Sequence, residues 1–166
     1  MPTIGLAQER TFEQDPKFAI WLLVDIAIKA LSPAINDPTT AVQAIDQIED
    51  LLGRLGRCKL EAGNVRDSNG VLRVLLLIPT WEDYITLAFD EIRQFGASSI
   101  QIMRRLRSAL VELIEMLPTP DRTDAVRRHL AQLDLTVERS AFDAEDRAVA
   151  RQQDRQGLGL TRRRTS

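Results

Sequence analysis

Residues 15–41 read DPKFAIWLLVDIAIKALSPAINDPTTA, and the way the chain passes through them decides the fold. Asp15 before Pro16 is a helix start: the carboxylate accepts the orphan amide protons of a first turn, and proline has no amide proton to leave unpaired. From Phe18 to Leu31 only Asp25 and Lys29 are charged, so the segment is apolar nearly all round, as in a helix held inside a core. It is too short and too charged to cross a bilayer, which takes roughly 20 apolar residues. Ser32-Pro33 ends it, because a residue before proline is pushed out of the α region. Asp37-Pro38 repeats the opening device. Ala41, Ile45, Ile48, Leu52 and Leu55 then recur every three or four residues along one face of a second helix.

Further along, Asn69-Gly70 suits a two-residue turn, and VLRVLLLI at 71–78 is β-branched and apolar enough for a strand whose partner falls within 59–66. Thr80 with Asp83 resembles a capping box that opens a third helix, Trp81 to Phe95. Gly96 follows it, where a left-handed residue is often wanted. In a fourth helix Met103, Leu106, Leu110, Leu113 and Leu117 form a three-four seam, with Arg104, Arg105, Arg107, Glu112 and Glu115 mostly on the other faces. A fifth helix, about Asp121 to Ala141, carries Val126, Leu130, Leu133 and Val137, with His129 beside that stripe as a packing residue. A sixth, from about Asp143 to Gln156, has few apolar side chains. The fold class is therefore mainly α: five to six helices around a central apolar helix, with one small β-hairpin. Residues 1–142 form the helical domain, its hairpin near 59–78, and residues 143–166 a peripheral helix and basic tail.

At 166 residues the chain is long enough for one domain with a substantial core. The net charge of -2 hides an asymmetry: nine Lys/Arg against fourteen Asp/Glu in residues 1–100, and thirteen against ten afterwards. The only basic run is TRRRT at 161–165, so nucleic-acid binding, which needs clustered positive charge, is not expected. Cys58 and His129 are the sole cysteine and histidine, which removes an intrachain disulfide, a Cys/His zinc site and histidine triads that need a second imidazole. Pro2, Glu9, Arg10 and Glu13 interrupt the start before any apolar run develops, so a signal peptide is not read there and a cytosolic setting is expected.

The polar residues that look out of place gather around the first helix: Arg10, Gln14 and Asp15 before it, Asp25 and Lys29 within it, Asn36, Asp37, Thr39 and Thr40 after it. They have two readings. In one they satisfy helix ends and a sharp reversal between two helices. In the other they line a small ligand pocket, where Asp15, Asp25 and Asp37 offer oxygen ligands to Mg²⁺ or Ca²⁺ or divide acid and base roles. No spacing matches a known loop motif, so no catalytic residue, metal ligand or cofactor is assigned.

Arg10-Thr11, Gln14-Asp15, LVDIAIKALSP from Leu23 to Pro33, INDPTTA from Ile35 to Ala41 and AFDEIRQFGA from Ala88 to Ala97 together resemble a bacterial family of predicted membrane proteins, the domain of unknown function numbered twenty-two fifty-four. The resemblance covers most of residues 4–117. It implies transmembrane helices ahead of this region in a longer parent, so that this chain is expected to be either the soluble portion of such a parent or a short member lacking the anchor, and it supplies no activity, substrate or cofactor. The expected function is that of a non-catalytic cytosolic domain acting by ligand or partner binding. Self-association is expected too, because the hairpin edge and the leucine seam both offer surfaces. The alternative is a carboxylate-dependent Mg²⁺ or Ca²⁺ enzyme with its site at the first helix junction.

Overall fold

The computed structural model describes residues 15–60, 63–66, 69, 71–76 and 79–157. Six helices occur among them: α1 (Pro16–Ala30), α2 (Pro38–Leu55), α3 (Trp81–Phe95), α4 (Ile100–Met116), α5 (Pro120–Arg139) and α6 (Ala144–Ala150). Between α2 and α3, β1 (Gly63–Arg66) and β2 (Leu72–Leu76) pair antiparallel, Val65 opposite Val74. Gly70 of the expected turn and the TRRRT tail lie outside the described residues.

Both Asp-Pro pairs act as read. Asp15 Oδ1 accepts from the amides of Lys17 (3.0 Å) and Phe18 (3.3 Å), and Asp37 does the same for α2. At α3 the capping box forms in full: Asp83 accepts from the amide and hydroxyl of Thr80, and its own amide donates to Thr80 Oγ1. Gly96 departs from expectation. Its φ of -85° is right-handed, so conformational freedom is not what requires glycine there. Space is: a Cβ on Gly96 would lie 2.4 Å from Ile102 Cγ2 and 2.9 Å from the Ile92 carbonyl oxygen.

The central helix is α4, and the expectation for α1 is corrected. Among the described residues helix α4 touches α2, α3, α5 and α6, whereas α1 touches only α2 and α3. Ile102, Met103, Leu106, Ala109, Leu110 and Leu113 of α4 are all buried, so its three-four seam is an interior surface and not one offered to another molecule. Helix α1 buries Ile20, Val24 and Ala27 but leaves Trp21 50% and Ile26 46% exposed. It is apolar nearly all round, yet among the described residues it packs on α2 and α3 alone.

A second correction concerns charge. Arg104 and Arg105, read as lying on outer faces of the fourth helix, are 3% and 4% exposed. The segment after α5, read as peripheral, is anchored to α4: Ala150 is fully buried, the Asp154 amide donates to Ser108 Oγ at 2.7 Å, and Gly157 meets Val42 of α2. His129 is buried on α5, its ring facing Asp90 and Glu82 of α3. Burial holds its imidazole below the ordinary value, against the pull of Asp90 and Glu82.

Candidate functional site

Of the residues singled out from sequence, Arg10 and Gln14 lie outside the described residues. The rest divide between the two ends and the outer face of α1. Asp15 caps its start. Asp25 pairs with Lys29 at 2.6 Å on the surface, four residues apart. Past its end, Asn36 takes a left-handed φ of 48°, and the Asp37 amide donates to the Ala30 carbonyl at 2.8 Å, turning the chain into α2. Asp37 Oδ1 accepts from the amides of Thr39 and Thr40, both at 3.1 Å, and Oδ2 from Thr40 Oγ1 at 2.5 Å. The Thr40 hydroxyl and amide hold the Asp37 carboxyl below its usual value. Asn36, Asp37, Thr39 and Thr40 thus come together at one corner, while Asp15 stands a whole 15-residue helix away, about 22 Å at 1.5 Å per residue.

A different polar cluster lies between α2 and α4. Asp46, Glu49, Asp50 and Gly53 share one face of α2, and Arg105, Glu112 and Met116 share one face of α4; with Arg54 and Arg57 they line a cleft of about 300 Å³. At Gly53 the helices stand one van der Waals contact apart, a Cβ there falling 3.4 Å from Met116 Cε. Arg105 reaches across from α4. Its Nε donates to Asp46 Oδ1 at 2.6 Å and its Nη2 to Glu49 Oε2 at 2.5 Å, while buried Nη1 has no hydrogen-bond partner. Glu112 meets Arg155 Nε at 3.0 Å from the other side.

The electrostatics follow from how dry each group is. Glu49 is 7% exposed, and burial pushes its carboxyl above the usual range; Arg105 opposes that shift and neighbouring Glu112 adds to it. Burial also works against the charge on Arg105, but its hydrogen bonds to Glu49 and Asp46 outweigh it and leave the guanidinium firmly protonated. The exposed Asp50–Arg54 pair at 2.8 Å contributes little by comparison. The arrangement therefore favours the protonated form of Glu49 more than an exposed carboxyl would, and it presents a fixed cation, Arg105, in the lining of the cleft. No group of three or more His, Cys, Asp or Glu among the described residues is placed to hold a metal ion.

This cluster left a signal in the sequence. Arg105 falls three residues after Ile102 and four before Ala109, and Glu49 four after Ile45 and three before Leu52. Each charge sits inside an apolar stripe, and the two have opposite signs, which is how a pair buried between two helices would be written.

Comparison with known proteins places these elements. Residues 2–112, which include Asp46, Glu49, Arg105 and Glu112, match the family described as "Predicted membrane protein (DUF2254)". An uncharacterised protein of Mycobacterium bovis is 32% identical over 146 residues, as are uncharacterised proteins of two Mycobacterium tuberculosis strains, CDC 1551 and H37Rv. The match takes in 88% of this chain but 28% of each relative, so the chain spans little more than a quarter of their length. No solved structure matches it. Among the described residues no helix is long and apolar enough to cross a membrane. The chain belongs to the DUF2254 family of predicted membrane proteins.

Proposed function

We propose that this chain is a non-catalytic cytosolic domain of a longer membrane protein, and that it binds a small polar group in the cleft between α2 and α4. The observation that carries this reading is Arg105, which lines the cleft and whose buried Nη1 has no hydrogen-bond acceptor. A buried donor left unpaired is costly, of the order of 1–3 kcal/mol, and a ligand that supplies the acceptor recovers that loss. The acids around it narrow the ligand. A second anion would be repelled by Asp46, Glu49 and Glu112, whereas a carboxamide accepts from Arg105 through its oxygen and donates to a carboxylate through its NH₂. A glutamine or asparagine side chain, free or on a partner, has that pattern.

Titrating the ¹⁵N-labelled chain with free glutamine tests this, with free glutamate as the comparison. The expected result is a saturable shift of the Arg105 Nε signal and of α2 and α4 amides with glutamine, weaker with glutamate and lost in Arg105→Lys. No response in the cleft to either amino acid would remove the reading. A carboxylate-dependent enzyme at the first helix junction is the weaker alternative, because Asp15 and Asp37 serve as helix caps and Asp25 pairs with Lys29. The corner formed by Asn36, Asp37, Thr39 and Thr40 then sets the angle at which α2 presents Asp46 and Glu49.

A further inference from the structure

We propose that the outer face of α1 is a two-fold interface between two copies of this chain, with Trp21 on the axis. This does not depend on the cleft, which lies on other helices. Trp21 is half exposed and stacks on Phe18, ring centroids 5.9 Å apart. Beside them, Lys17, Phe18, Trp21 and Leu87 of α3 line an apolar groove of about 310 Å³, roomy enough for an indole. An apolar strip and groove of this kind offer a surface that a second molecule can cover.

The charges name the occupant. Lys17, Trp21 and Asp25 are spaced four and four, so they share one face of α1. If two copies of α1 meet antiparallel about Trp21, each Lys17 faces Asp25 of the other copy, and each indole can enter the other's groove. In a two-fold interface every such contact occurs twice. Parallel helices would set Lys17 against Lys17. A bilayer is a poorer cover, because the Asp25 carboxylate, 30% exposed beside its 2.6 Å partner Lys29, stands within the strip. Lipid would strip water from that acid, whereas a second copy brings it a cation. The leucine seam of α4 cannot serve instead, since it is interior.

One helix pair with a single aromatic knob falls below the roughly 1,200 Å² of a standard interface, so the dimer is weak, with Kd on the order of tens of micromolar. Sedimentation equilibrium on the full chain over a range of concentrations tests it. The expected result is a monomer–dimer equilibrium that Trp21→Glu weakens by about 100-fold and Lys17→Glu by about tenfold. The double variant Lys17→Glu/Asp25→Lys should regain most of the wild-type affinity, which a merely structural role for either residue would not produce. Circular dichroism melts show whether each variant stays folded. A chain that is monomeric at millimolar concentration overturns the proposal, as does a dimer indifferent to these changes or a double variant no better than the single. Trp21-dependent flotation on phosphatidylglycerol vesicles, without dimer in solution, also overturns it and gives the face to a membrane.

Discussion

Replacing Arg105 by methionine removes the guanidinium and keeps most of the side-chain volume. Asp46, whose side chain is 44% exposed, returns to water at little cost. Glu49 cannot, being 7% exposed beneath the cleft. Breaking a buried pair and leaving one charge behind costs about 3–5 kcal/mol, which for a chain of this length lowers the melting midpoint by about 10 °C, at 2–4 °C per kcal/mol. Glu49 has an escape, because a carboxyl whose folded pKa is raised can take up a proton. Such a group contributes stability that is fully present below its unfolded value of 4.5 and is lost as pH rises through the folded value. Without Arg105 that folded value rises further, so the penalty is largest near pH 8 and shrinks toward pH 5. Urea denaturation at both pH values measures it, and the variant Arg105→Met/Glu49→Leu, which replaces the pair by apolar packing, should recover most of the loss. If Arg105→Met costs under about 1 kcal/mol at pH 8, or costs as much with Glu49→Leu present as without it, Arg105 and Glu49 are not energetically coupled and the account of the cleft is wrong.

His129, held below 6.5 by burial, should lose stability as pH falls from 6.5 through its folded value. His129→Gln should flatten that part of a pH–stability curve, the facing Asp90, Glu82, Arg93 and Arg128 being unchanged. Gly96→Ala should destabilise by about 1–3 kcal/mol in urea, because the new methyl meets Ile102 and a carbonyl, both fixed. Asp37→Ala removes an acceptor from two amides and a hydroxyl and should lower the thermal midpoint, an effect that fades below the ordinary aspartate range, where the native carboxyl is itself protonated. Asp154→Asn leaves Arg104, 3.6 Å away and 3% exposed, without its counter-charge. Hydrogen exchange should then show residues 144–157 opening while α1 to α3 keep their protection.

The local chemistry of this chain was legible wherever one residue type has one job. Asp-Pro at 15–16 and 37–38, Thr80 with Asp83, and the Ser32-Pro33 break placed helix ends to within a residue or two, because capping is decided by a few neighbours. Which helix lies at the centre was not legible in the same way. Phe18 to Leu31 is the most apolar stretch, and apolar character says what a helix can bury, not how many sides the fold covers. In helix α4 the three-four leucine seam showed a packing face, but the arginines at 104, 105 and 107 gave no sign that other faces are covered too. The candidate site suffered from the converse error. The corner at 32–40 attracts notice because its polar residues are crowded in sequence, and they are crowded because caps act locally. Arg105 and Glu49 are 56 residues apart, and only the packing of α4 on α2 joins them.

Two adjacent arginines inside one helix need a reason, since a buried ion pair seldom adds stability over an apolar pair of the same volume. Neighbours on a helix point about 100° apart, so Arg104 and Arg105 address different partners, Asp154 of the C-terminal segment and the acids of α2. Slide α4 by one residue and both pairs break together, each at the cost of a stranded charge. The arginines thus fix rotation and register at the centre of the bundle, a task that its leucines, alike in size, perform poorly. Fixing the register does not require a donor with no acceptor, and on Arg105 one remains at buried Nη1, as one does at Nε of Arg104. Arg105 lines the cleft proposed for binding, and its position lies with Asp46, Glu49 and Glu112 inside the stretch that matches the family, while Asp154 lies beyond it.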